Sequence, residues 1–132
     1  MSVGVLIITH GEIGDQFVKT AESTLVGNLP LQCRAISVSQ TCDPDALVEK
    51  CRAVIEQINI GSGVLVLTDI YGSTPSNIAN RLTTAGNIKV IAGMNLPMLI
   101  RILNYPDSDL DELAEKALSG GHDGIIYCEQ MN

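Results

Sequence analysis

The chain has 132 residues, the length of one domain with a real apolar core. Fifteen acidic residues against eight basic give a net charge of −7, which argues against a surface for nucleic acid or an anionic membrane. Apolar residues make up 45% of the chain but include one Phe, three Tyr and no Trp, so aliphatic side chains must fill the core, as in α/β sheets covered on both faces.

Val3 to Thr9 is a continuous apolar run rich in β-branched residues, too short for a buried helix and right for a central strand. No basic segment precedes it, no small-residue cleavage site follows, and no run reaches the ~18 apolar residues that span a bilayer, so a cytoplasmic protein without a signal peptide is expected. After Gly11 and Gly14, Phe17, Val18, Ala21 and Leu25 recur at helical spacing. Residues 33–38 alternate, as a more exposed second strand would. Asp43-Pro44 reads as an N-cap with proline at the first helical position, and Leu47, Cys51, Val54, Ile55 and Ile58 form that helix's buried stripe.

The unit then repeats. Gly63 to Thr68 predicts a third strand, and Thr74-Pro75 opens a helix carrying Ile78, Ala79 and Leu82. Ile88 to Met94 predicts a fourth strand, followed by a short helix from Leu96 to Leu103. Ser108 with Asp111 resembles a capping box for a helix through Leu118, stopped by Gly120-Gly121. Gly124 to Cys128 predicts a last short strand. The expected fold is an open, doubly wound, mostly parallel α/β sheet of order 2-1-3-4, a single domain over residues 1–132. Cys33, Cys42, Cys51 and Cys128 form no Cys-x-x-Cys pair and the two histidines complete no zinc pattern, so reduced thiols, no metal and no cofactor are expected.

In such sheets ligands collect at the carboxyl ends of the strands, where the strand order reverses. With order 2-1-3-4 that point lies between strands 1 and 3, which end in Thr9-His10-Gly11 and Thr68-Asp69. Gly11 and Gly14 flank the entry to the first helix and Gly72-Ser73-Thr74-Pro75 the entry to the third. Glycine lets backbone approach a ligand, and helix N-termini offer free N–H groups and a dipole that favours an anion. A phosphate-carrying histidine presents one ring nitrogen as nucleophile and needs a partner on the other, for which Asp69 is the candidate. Thr74 either caps its helix or contacts the anion. Taken singly, each of these residues is more often structural; their convergence on one sheet edge favours phosphoryl transfer through His10. His122 reads as a solvated loop residue, Asp107 to Glu115 as a capped and solvated helix start, and Glu12 as an exposed loop charge. Neither a Walker motif nor Gly-x-Gly-x-x-Gly is present.

Gly4-Val-Leu-Ile-Ile-Thr-His-Gly11 resembles the active-site strand of the mannose-class enzyme IIA domains of the bacterial phosphoenolpyruvate-dependent phosphotransferase system. Leu65-Val-Leu-Thr-Asp-Ile-Tyr-Gly-Ser-Thr-Pro-Ser-Asn77 is similar to that family's second motif and Gly93-Met-Asn-Leu-Pro-Met-Leu99 to its third. The likeness covers essentially the whole chain. Gly72-Ser73-Thr74-Pro75 stands where relatives often have Gly-Gly-Ser-Pro, and Glu12 where some have an apolar residue.

The resemblance implies a phosphotransferase in which His10 is the phosphorylation site, Asp69 orients it, and Gly11, Gly72, Ser73 and Thr74 surround the phosphate. It implies a cytoplasmic protein that takes phosphate from the histidine-containing phosphocarrier protein and passes it to a separate IIB component for sugar uptake. Membrane association would then be peripheral at most, through a IIB/IIC/IID complex. With no Ala/Pro-rich linker after the last strand, a free-standing IIA protein is expected. The alternative is a regulatory phosphoprotein whose His10 state controls binding to a target. The resemblance also implies a homodimer in which the terminal strand, residues 124–128, crosses to the partner's sheet, antiparallel at its edge.

Overall fold

A computed structural model describes residues 2–129. Four strands, β1 (Gly4–His10), β2 (Cys33–Val38), β3 (Val64–Thr68) and β4 (Ile88–Ala92), form one sheet of order β2-β1-β3-β4, with every pairing parallel. Between and after them run α1 (Ile13–Leu25), α2 (Pro44–Ile58), α3 (Thr74–Asn80) with a 3₁₀ turn (Arg81–Ala85), α4 (Leu96–Leu103) and α5 (Leu110–Asp123). Among the described residues no helix is long and apolar enough to cross a membrane.

Successive strand residues face opposite sides of a sheet, so each strand feeds two cores. Val5 and Ile7 of β1 with Leu65 and Leu67 of β3 pack under α1, α4 and α5; Leu6 and Ile8 with Val64 and Val66 pack under α2 and α3. The two central strands are therefore apolar on both faces, and the continuous runs in the sequence follow from that burial. Edge strand β2 buries only Ile36 and Val38, which is why its sequence alternates.

Several local expectations are corrected. The capping box lies one residue later than Ser108/Asp111: Asp109 is the N-cap of α5 and accepts a hydrogen bond from the Glu112 N–H at 2.8 Å. The Ser108 N–H is already committed to the Tyr105 carbonyl, so the helix starts after it. Gly120-Gly121 does not stop α5, which continues to Asp123. These glycines serve packing: a Cβ on Gly120 would lie 2.4 Å from Arg101 Cβ, and one on Gly124 2.3 Å from Pro97 Cβ, so α4 and α5 approach as closely as they do only without side chains there. His122 consequently sits in the last helical turn rather than in a loop. Ser73, not Thr74, is the N-cap of α3. Val48 is buried in α2 where Leu47 is half-buried.

Among the described residues the expected terminal strand is absent. Residues 125–129 pair with no strand and are exposed throughout. A strand exists only through its ladder partner, and the single chain offers this segment none.

Candidate functional site

β1 and β3 are parallel neighbours with Ile8 opposite Thr68, so His10 and Asp69 leave the sheet side by side although 59 residues separate them. Asp69 Oδ2 accepts two hydrogen bonds, from the His10 backbone N–H and from the His10 ring at Nδ1, both at 2.9 Å. Oδ1 accepts from the Ile70 N–H at 2.9 Å. Burial alone would push the Asp69 carboxyl up; the bonds from the His10 backbone, the His10 ring and the Ile70 N–H outweigh it and hold it below the ordinary aspartate value. An ionised carboxylate has only lone pairs to offer, so Nδ1 is the donor, and in the neutral ring Nε2 keeps its lone pair. That is the tautomer of a nucleophile. With 46% of the His10 side chain exposed, a donor in solution can reach it.

The strand end itself is tied down. Gly11, at φ +50°, occupies a left-handed conformation that most residues resist, and its N–H donates to the Val38 carbonyl at 3.0 Å. By alternation along β1, His10 shares the face of Leu6 and Ile8. A cavity of about 710 Å³ opens there, lined by His10, Gly11, Val38, Ser39, Gln40, Cys42, Pro44 and Thr74.

Of the expected phosphate cradle, Gly11 and Thr74 line this cavity. The Ser73 hydroxyl instead donates to the Ile70 carbonyl at 2.5 Å, and Gly72, at φ +82°, shapes the turn between them. Glu12, the N-cap of α1, is exposed, as are Ile13 at the start of that helix and Ile70 and Tyr71 in the turn after β3. The β2–α2 loop was not foreseen as part of the site. Strand order was the available signal, because β2 next to β1 brings Ser39, Gln40 and Cys42 beside His10. Burial pushes the Cys33 thiol up to about 12 and Cys51 up to about 11, so both stay protonated. Among the described residues no three His, Cys, Asp or Glu side chains gather as a metal site would require.

The family model EIIA-man, "PTS system fructose IIA component", matches residues 4–118. The chain is 34% identical over 128 residues to the "PTS system mannose-specific EIIAB component" of Escherichia coli (strain K12). That alignment takes in 95% of this chain but only 39% of the relative, so the chain spans well under half of that protein's length. Among solved structures, a mannose/sorbose specific IIA subunit from Enterococcus faecalis superposes with a TM-score of 0.86 at 24% identity, over 100% of this chain and 98% of that one. Component EIIA from Streptococcus agalactiae gives 0.79 at 24% identity over 95% and 96%. At these identities the two structures speak for the fold alone.

Proposed function

The chain belongs to the EIIA-man family of phosphotransferase-system IIA components, and on that premise we propose that it carries a phosphoryl group on His10, from the histidine-containing phosphocarrier protein to a IIB component. The observation that carries this reading is the double hydrogen bond to Asp69 Oδ2. One oxygen holds both the ring and the backbone of the same histidine, so both are referred to a single fixed atom.

In the transfer, the Nε2 lone pair attacks the phosphorus of the donor's phosphohistidine. The new P–Nε2 bond forms as the donor's P–N bond breaks, and the donor imidazole leaves with that electron pair. Charge then rises on the His10 ring, whose Nδ1 proton faces the Asp69 carboxylate. Asp69 favours that charged ring over any alternative arrangement. Gly11, Gly72, Ser73 and Thr74 surround the phosphoryl group in this reading: Gly11 and Thr74 from the cavity wall, and Gly72 with Ser73 by holding the turn that presents Thr74. The same steps in reverse deliver the group to a nucleophile of the IIB component without further chemistry here.

A homodimer belongs to the proposal. Ile125, Ile126 and Tyr127 are 75%, 72% and 89% exposed, and an apolar segment of strand-forming residues in that state gains from adding to a second copy's sheet edge. Ending the chain after Gly124, the C-cap of α5, should shift sedimentation from dimer to monomer; an unchanged dimer would remove the exchanged strand from the account.

The deciding experiment is phosphorylation by the phosphocarrier, followed by addition of IIB proteins. Acid-labile phosphate on the His10 peptide that moves on to a IIB protein supports the carrier. Phosphate retained on His10, with binding to another protein that depends on it, supports the regulatory alternative. No label on His10 overturns both.

A further inference from the structure

The residue before His10 has no part in the transfer just described, yet it is among the most constrained polar groups in the molecule. Thr9 is 0% exposed, and its Oγ1 accepts a hydrogen bond from the Gly14 N–H at 2.8 Å. Gly14 is the second residue of α1, the position whose N–H a helix cap normally satisfies. The residue at the cap position, Glu12, makes no such side-chain bond. Thr9 therefore caps the helix from the strand, across the turn that holds His10.

The bond closes a ring of chain from residue 9 to residue 14. Within it lie His10 and Gly11, the latter at φ +50°. Gly14 sits so close that a Cβ there would stand 3.1 Å from Thr9 Oγ1, 3.1 Å from Ile7 Cγ2 and 3.4 Å from Ala35 Cβ. The start of α1 is thus pressed onto β1 and β2, with the hydroxyl at the contact. His10 lies on the opposite face of the sheet, and its ring meets Asp69 through a single bond. The orientation of that ring depends on the backbone that the Thr9–Gly14 bond holds.

We propose that Thr9 is a positioning residue for phosphoryl transfer: its hydroxyl locks the strand-to-helix turn and thereby keeps His10 Nδ1 on Asp69. The inference rests on the phosphocarrier reading for its kinetic consequence, but not for its structural one. With the hydroxyl gone, the Gly14 N–H loses its partner, the turn relaxes, and the ring samples the tautomer with the proton on Nε2, in which that nitrogen has no lone pair with which to attack phosphorus.

Two matched pairs test this, each differing by one hydroxyl: wild type against Thr9→Val, and Thr9→Ser against Thr9→Ala. Ring ¹⁵N spectra of His10 in the unphosphorylated full chain read the tautomer, and single-turnover transfer from the phosphocarrier reads the rate. Wild type and Thr9→Ser are expected to show protonated Nδ1 and rates within about threefold of each other. Thr9→Val and Thr9→Ala are expected to show mixed tautomers and rates lower by about 10- to 100-fold, the scale of a slightly misplaced reacting group. A folded variant without the hydroxyl that keeps the wild-type spectrum and rate overturns the proposal. So does failure of both such variants to fold, which would make Thr9 a residue of stability only. If wild type takes no phosphate on His10, the phosphocarrier reading falls, while the ¹⁵N comparison still decides whether Thr9 orients the ring.

Discussion

Strands β1 and β3 end alike, in a fully buried threonine followed by an ionisable residue, but the two ends are finished differently. Thr9 alternates with Val5 and Ile7, faces α1 and gives its oxygen to the Gly14 N–H. Thr68 alternates with Val64 and Val66, faces α2 and α3, and its Oγ1 finds no hydrogen-bond partner among the described residues. Past the threonine, β1 reaches a helix N-cap, Glu12, within three residues, whereas β3 enters a turn held by Asp69 and Ser73. The difference follows from what each end carries. In the proposed reading, a ring that must present Nε2 to phosphorus has to be oriented from outside, by Asp69 and by the turn behind it. A carboxylate that accepts from its own neighbour's N–H is already oriented by its backbone.

The largest test of that asymmetry is removal of the groups themselves. His10→Ala is expected to abolish phosphorylation, while His122→Ala, in the last turn of α5, leaves it intact; phosphopeptide mapping under alkaline conditions distinguishes them. Label that persists without His10 would place the nucleophile elsewhere and dissolve the comparison.

Next comes Asp69→Asn, expected to slow transfer by ~10²–10⁴ without unfolding the domain, because an amide can support either tautomer of the ring. The substitution also carries a pH signature. Asp69 is held below its ordinary value of 3.8, so its stabilising contribution is present above that value and is lost as pH falls through the depressed one. In denaturant titrations the stability advantage of wild type over Asp69→Asn should be constant near neutrality and shrink in acid. An advantage that persists unchanged into strong acid would mean that the ionised carboxylate is not what these bonds stabilise.

Glu12→Lys probes the β1 loop as a docking element. Beside the site on a chain of net charge −7, Glu12 is expected to speed encounter with a partner presenting positive charge. The variant should transfer several-fold more slowly at low ionic strength and approach wild type in high salt, as screening removes the difference. A defect that ignores salt would reassign Glu12 from encounter to geometry.

The smallest effect belongs to Thr68→Val. A buried hydroxyl without a partner costs stability, so replacing it with a methyl of similar size should leave thermal stability unchanged or raise it, by up to about 1 kcal/mol. Transfer should stay within about twofold of wild type. A loss comparable to that expected at Thr9 would show that the two strand ends are held in the same way after all.

Much of this architecture could be read from residue patterns. The apolar runs at 3–9 and 63–68, the alternation at 33–38 and the Asp43-Pro44 helix start each reflect local burial or capping, and each reappears in the structure. Gly120-Gly121 was misread because glycine after a helical pattern is locally a stop. Here the contact with Arg101 and Pro97, far off in sequence, decides instead. The shift of the α5 cap from Ser108 to Asp109 has a similar origin: either residue can cap, and the Tyr105 turn settles which one does.

Sequence by itself determined the order of the elements through α5, the parallel 2-1-3-4 order of the four strands and the meeting of His10 with Asp69, because β-branched runs, turn residues and the rules of crossover connection are local or topological constraints; the strand expected at 124–128 is not seen. Only the tertiary structure decided which oxygen holds which nitrogen, that the Ser73 hydroxyl is committed to the Ile70 carbonyl, that the β2–α2 loop walls the cavity, and that Thr9 caps α1 from below. It also left residues 125–129 outside any strand among the described residues, since a strand's hydrogen bonds lie in its neighbour and no pattern within five residues can supply one. Those outcomes depend on distances of a few tenths of an ångström between groups brought together by packing, and packing is a property of the whole chain.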